Sequence, residues 1–152
     1  TVRAFIALVQ GRLDVAAASV RAATPHVRSA PGEAIVGVHS YQLALLGRLG
    51  ADVDRRAAKR AERRVRRAAA ANPYDYGHRI ALLDAVGRHG QPAAFDEVAA
   101  SARRHEALAD LAVIAALAER AATDPGEAMR WRAAAVAALR AWGAEGVARS
   151  LS

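Results

Sequence analysis

The chain is predicted to be all-α, a right-handed stack of about four helical hairpins, and three observations carry this. First, 53% of its 152 residues are hydrophobic, mostly Ala, while only 5% are aromatic. Ala is the strongest helix former and loses no side-chain entropy on folding, so the bias favours helices whose backbones approach closely. Second, few stretches alternate apolar and polar residues over enough β-branched side chains to read as strands. Third, a motif recurs: an apolar helix-like stretch runs into Gly, a polar turn follows, then an Ala-rich helix. The turns read Gln10-Gly11-Arg12-Leu13-Asp14, Arg48-Leu49-Gly50-Ala51-Asp52, Arg88-His89-Gly90-Gln91-Pro92 and Thr123-Asp124-Pro125-Gly126-Glu127. Their spacing of about 36–40 residues is the period of stacked helical hairpins.

The periodicity predicts helices over 2–10, 12–23, 33–49, 52–71, 76–89, 92–105, 107–122, 126–142 and 145–150. Thr24-Pro25 and Ala30-Pro31-Gly32 bound a loop after the second, because a residue before Pro avoids helical angles. Asp52 is the expected cap of the fourth. Asn72-Pro73 closes that helix, and Asp124-Pro125 places Pro at a first helical turn, where its missing N–H is harmless. The helices pair in order, first with second through seventh with eighth, across short turns that make neighbours antiparallel. The segment 145–150 is a partial or capping helix. One hairpin cannot bury its apolar face alone, so the pairs are expected to stack as a single domain over 1–152.

The fourth helix has the clearest pattern. At about 100° per residue, Arg55, Arg56, Lys59, Arg60, Arg63, Arg64, Arg66 and Arg67 fill one half, and Ala57, Ala58, Ala61, Val65, Ala68 and Ala69 the other. That marks an outer helix packed on one side. Asp54 and Glu62 edge the basic half, within reach of nearby Arg. The third and fifth helices are apolar on most sides, as helices between layers are. Leu46 and Leu83 are expected in their cores. Their narrow polar stripes carry Ser40, Tyr41, Ala44 and Arg48 on the third, and Gly77, Ala81, Asp84 and Arg88 on the fifth. In an open stack these stripes would line a concave inner wall.

The net charge of +7 comes almost wholly from Arg, with Lys59 the only lysine. A basic balance allows acidic partners, nucleic acid or an anionic surface, though Arg over Lys beside abundant Ala is also what a GC-rich genome imposes. With no Cys, disulfides, thiolate catalysis and Cys-ligated zinc are excluded, which fits a cytoplasmic protein. The longest apolar stretch, Leu111 to Ala118, falls far short of the ~20 residues that span a bilayer. The chain opens at Thr1 straight into an apolar run and reads as a segment of a longer polypeptide.

No enzyme signal is present. Gly87-Arg88-His89-Gly90 lacks the preceding strand and following Lys-Ser/Thr of a phosphate loop, and no Ser sits in a nucleophile motif. His26, His39, His78, His89 and His105 are scattered without the i, i+4 pairing of a helical metal site, so neither metal nor cofactor is expected. Asp84 and Arg88, at i and i+4, suit a helix-face ion pair. Trp131 and Trp142 share a helix face and read as core; Tyr41, Tyr74 and Tyr76 read as core or as ligand contacts. A partner or effector site, if it uses the inner stripes, draws on Tyr41, Arg48, Asp84 and Arg88. The basic face of Arg55, Arg56, Lys59, Arg60, Arg63, Arg64 and Arg67 could lie along phosphates. No aromatic residue is interleaved for base stacking, however, so a solvated or partner-facing surface is the first reading and a nucleic-acid module the alternative.

Ala7-Leu8-Val9-Gln10-Gly11-Arg12-Leu13-Asp14-Val15-Ala16-Ala17-Ala18 resembles the Gly-centred turn of tetratricopeptide-like repeats. Ala138-Leu139-Arg140-Ala141-Trp142-Gly143-Ala144-Glu145-Gly146-Val147-Ala148-Arg149 resembles the end of the helical repeat region of large actinobacterial LuxR-type regulators that contain an ATPase module. The resemblance covers most of the chain, although most Trp, Tyr and Pro landmarks of a standard repeat are missing. It implies a tetratricopeptide-like solenoid that serves as a non-catalytic sensor or interaction arm. Its partner would be a protein, a small effector or other domains of the parent chain. ATPase and DNA-reading roles would lie outside these residues.

Overall fold

The computed structural model describes residues 2–27, 33–87 and 92–152. Among them are nine helices and no strand: α1 (Val2–Val9), α2 (Leu13–Val27), α3 (Glu33–Arg48), α4 (Arg55–Ala71), α5 (Pro73–Gly87), α6 (Pro92–Arg104), α7 (Leu108–Ala121), α8 (Pro125–Ala141) and α9 (Glu145–Leu151). Each helix packs against the next in sequence, within the expected pairs and between them alike.

The turns explain the recurring Gly. Gly11 and Gly50 sit at φ +74 and +73, in the left-handed region that glycine enters without cost. Each closes its helix with paired bonds: Gly11 N–H to Leu8 O and Arg12 N–H to Ala7 O, then Gly50 N–H to Gly47 O and Ala51 N–H to Leu46 O. Gly143 repeats the arrangement after α8. The α6–α7 turn does so with a non-glycine residue, Glu106 at φ 52. Gly126 plays a different part from the one expected. It lies inside the first turn of α8, where Asp124 Oδ2 accepts from Glu127 N–H and Pro125 begins the helix. The turn at Gly90 lies outside the described residues.

Three helix ends differ from the sequence reading. α2 continues through Pro25 to Val27, and burial of Val27 against the fold outweighs the local preference to stop. Asp54, not Asp52, caps α4, accepting from Arg56 N–H at 2.8 Å and Ala57 N–H at 3.3 Å. Val53 just before it packs against the core and fixes where the helix starts. Asp52 instead faces Arg21 of α2. α5 begins at Pro73, three residues early, with Asn72 Oδ1 accepting from Asp75 N–H.

α1, α3 and α7 are the most buried helices, whereas α5 is no more buried than α6. Leu45, Leu46, Leu82, Leu83, Ile114 and the run from Leu111 to Ala118 form the core with Phe5 and Leu8. Trp131 is buried there too, and Trp142 packs against it from the end of α8. Odd-numbered helices also meet one another. α3 touches α5 and α1 touches α7. Phe5 meets Tyr41 across α1–α3, and Asp110 of α7 takes hydrogen bonds from His78 and Arg79 of α5. The α1–α7 contact joins the first hairpin to the fourth, which a strictly open row lacks. Arg120 of α7 secures it by donating to the carbonyl oxygens of Leu8 and Val9, at the C-terminal end of α1 where carbonyls lack helical partners.

The α3 part of the expected inner wall is filled, while Arg48 at its end is exposed and Gly77, Ala81 and Asp84 of α5 are half-buried. Ser40, Tyr41 and Ala44 are buried, and Tyr41 is 0% exposed. Beside Tyr41 lies a buried polar knot. His78 Nε2 and Arg79 Nε both donate to Asp110 Oδ2, at 2.8 and 2.9 Å, and the Arg79 guanidinium sits over the rings of Tyr41 and Tyr76. Burial, reinforced by the Asp110 charge, holds the Tyr41 phenol well above its ordinary range.

Candidate functional site

α4 carries the most unusual surface of the molecule. Its buried side is built from Ala58, Ala61 and Val65, small enough for α4 to lie flat on α3. At the contact, a Cβ added to Gly47 would stand 2.6 Å from Ala58 Cβ, so only glycine permits this approach. The opposite side is Arg55, Arg56, Lys59, Arg60, Arg63, Arg64 and Arg67, all exposed. None of the seven has an ion-pair partner among the described residues.

The one acid within α4 is already used. Glu62 accepts from Arg48 Nε at 2.9 Å on one oxygen and from Arg48 Nη2 at 2.6 Å on the other. It also accepts from Arg66, which reaches on to Asp84 Oδ1. The Arg48 hydrogen bond, then that of Arg66, holds the Glu62 carboxyl below its ordinary range against the opposing effect of partial burial. The Glu62 hydrogen bond raises the Arg48 guanidinium, and the Asp84 bond, then that of Glu62, raises the Arg66 guanidinium. Thus α3, α4 and α5 are clamped together by a chain that runs Arg48, Glu62, Arg66, Asp84.

Three hollows flank α4, one of them at its N-terminal end, where Val53, Asp54, Ala57 and Arg60 face α2, and two farther along it. Of those two, one, of about 530 Å³, lies toward α3, with Ala44, Gly47 and Ala58 as its floor and Arg48, Arg55, Lys59, Arg63 and Arg66 around it, against the single acid Glu62. The other, of about 460 Å³, lies between α4 and the α2–α3 pair, and no acid lines it.

Of the four inner-stripe candidates, the structure brings two together. Arg48 and Asp84 are the ends of the ion-pair chain, linked through Glu62 and Arg66, which periodicity alone could not pair across helices. Tyr41 is sealed in the core, away from them. Arg88 lies outside the described residues, and Asp84 takes Arg66 as its partner. The His78–Arg79–Asp110 knot was missed because its members lie about thirty residues apart on two helices. The one available signal was an acid within the apolar run of α7. Among the described residues no group of three or more His, Asp or Glu is placed to hold a metal ion, and no helix is long and apolar enough to cross a membrane. In comparisons with known proteins, no family model, curated protein or solved structure matches the chain.

Proposed function

We propose that the chain is a non-catalytic docking region that receives an acidic protein partner on α4. The observation that carries this is the unbalanced charge of that helix. Arg55 with Lys59, Lys59 with Arg63, Arg56 with Arg60, Arg60 with Arg64 and Arg63 with Arg67 are like-charge pairs at i, i+4. Each costs a few tenths of a kcal/mol. A helix selected only for solubility gains from interleaved acids; here the sole acid faces α3 and α5. An anionic surface laid on α4 relieves the repulsion.

The hollow toward α3 suits an acidic amphipathic helix. Arg55, Lys59 and Arg63 stand one helical turn apart, about 6 Å each, which matches acids at i, i+4 and i+8 on a facing helix. The floor residues Ala44, Gly47 and Ala58 are small and apolar, so no bulky side chain fills the hollow above them. The resemblance to the repeat arm of ATPase-containing LuxR-type regulators supplies a context, a cytoplasmic protein in which the acidic surface belongs to another domain.

The test is an anisotropy titration at ~150 mM salt, which screens exposed charges beyond about 8 Å. The probes are a helical peptide with Glu at i, i+4 and i+8, and a mixed pool of duplex and single-stranded oligonucleotides. Saturable binding of the peptide, with oligonucleotide retention that fades alike for all sequences, is expected. Sequence-selective oligonucleotide binding, lost when Arg60, Arg63, Arg64 and Arg67 become Glu, overturns this in favour of a nucleic-acid module.

A further inference from the structure

The second hollow beside α4 differs in kind from the first. Arg60, Arg63, Arg64 and Arg67 line one side, and no carboxylate lines any part of it. The other side is polar and buried: His39 is 7% exposed and Ser40 2%. Thr24 of α2 gives its hydroxyl proton to Val20 O, so its oxygen accepts from His39 Nε2, 3.3 Å away. That leaves His39 Nδ1 without a protein partner, and the atom is buried. Three helices thus converge guanidinium groups, a hydroxyl and an imidazole on one space of about 460 Å³, within the size range of small-ligand sites.

The geometry points to a binding site for the phosphate group of a small phosphorylated molecule in the hollow between α2, α3 and α4. Guanidinium forks on Arg60, Arg64 and Arg67 match phosphate oxygens bidentately. The Ser40 hydroxyl adds a neutral donor from the opposite wall. Burial and neighbouring positive charge, Arg64 included, hold the His39 imidazole below its ordinary range, so in the free protein the ring is neutral near pH 7 and adds no repulsion for the guanidinium groups. The hollow has no Phe, Tyr or Trp for base stacking, which disfavours a nucleic-acid strand. Arg63 lines both hollows, but Arg55 and Lys59 belong only to the partner groove, and Arg60, Arg64 and Arg67 do not line it.

Calorimetric titration of the full chain with inorganic pyrophosphate at ~150 mM salt tests the site, with the His39 ring followed by NMR. Saturable binding that shifts the His39 resonances is expected. Arg64→Gln with Arg67→Gln weakens it by at least about tenfold, the scale of one lost charge-assisted hydrogen bond. Arg55→Gln with Lys59→Gln leaves it within about twofold while abolishing binding of the acidic peptide, so each site can fail separately. All four changes lie on exposed side chains, so the fold is kept. Equal losses from both pairs would mean diffuse attraction and overturn the proposal. So would unsaturable binding, an unmoved His39, or a single-stranded oligonucleotide that displaces pyrophosphate at tenfold lower concentration.

Discussion

Glu62 holds Arg48 with both carboxylate oxygens, at 2.9 and 2.6 Å, and by doing so spends the only acid of α4 inside the fold. Glu62→Gln is expected to cost about 1 kcal/mol at neutral pH, modest because the Arg partners are partly exposed. The sign with pH follows from the depressed Glu62 carboxyl. Its stabilisation is present above the unfolded pKa and lost as pH falls through the folded one. The stability gap between wild type and Glu62→Gln should therefore be flat from pH 6 to 8 and close below about pH 4. Urea melts across that range check it; a gap that widens in acid would show that the clamp is misassigned.

Gly47 and Ala58 set the distance between α3 and α4. Gly47→Ala should destabilise by about 1–3 kcal/mol, as overpacking does. Adding Ala58→Gly should recover most of the packing loss, offset by the helix cost of a new glycine of about 1 kcal/mol. Denaturant melts of the two singles and the double measure this coupling. Strict additivity would mean that the two residues do not meet.

At the buried knot, Asp110→Ala should cost about 3–5 kcal/mol, because it leaves the Arg79 charge and the His78 donor uncompensated. Tyr41→Phe should lie within about 1 kcal/mol of wild type, since the Tyr41 hydroxyl has no protein partner and its ring contacts survive. Thermal unfolding that ranks these two in reverse would contradict the geometry.

Leu46 and Leu83 are each 0% exposed, and truncation to Ala should cost about 2–5 kcal/mol. Arg60→Ala and Arg63→Ala should fall within about 0.5 kcal/mol of wild type. Chemical denaturation of the four variants decides whether the helix faces are assigned correctly.

The helices were legible because Ala content, the 3.6-residue apolar period and the Gly turns agree locally, and Leu46, Leu83 and the basic half of α4 fell where periodicity places them. What was not legible depends on choices between near-equals or on contacts across the chain. Asp52 and Asp54 are both able caps, and the anchoring of Val53 decides between them. Tyr41 reads as a polar interruption of an apolar helix, yet Phe5 from α1 and Arg79 from α5 cover it. Arg48 and Asp84 share no helix, and only the packing of α4 between them lets Glu62 and Arg66 join them. The closure of α1 on α7 rests on Arg120, more than a hundred residues from the carbonyls that it caps.

The central claim, that the cations of α4 receive an acidic partner, is tested most directly by a charge exchange. Arg55, Lys59 and Arg63 are replaced together by Glu, and two helical peptides are compared at ~150 mM salt, one with Glu and one with Lys at i, i+4 and i+8. The wild-type chain should bind the Glu peptide and not the Lys peptide, and the reversed chain should show the opposite preference at unchanged helical content. A reversed chain that still binds the Glu peptide, or a wild type that binds neither, would contradict the account.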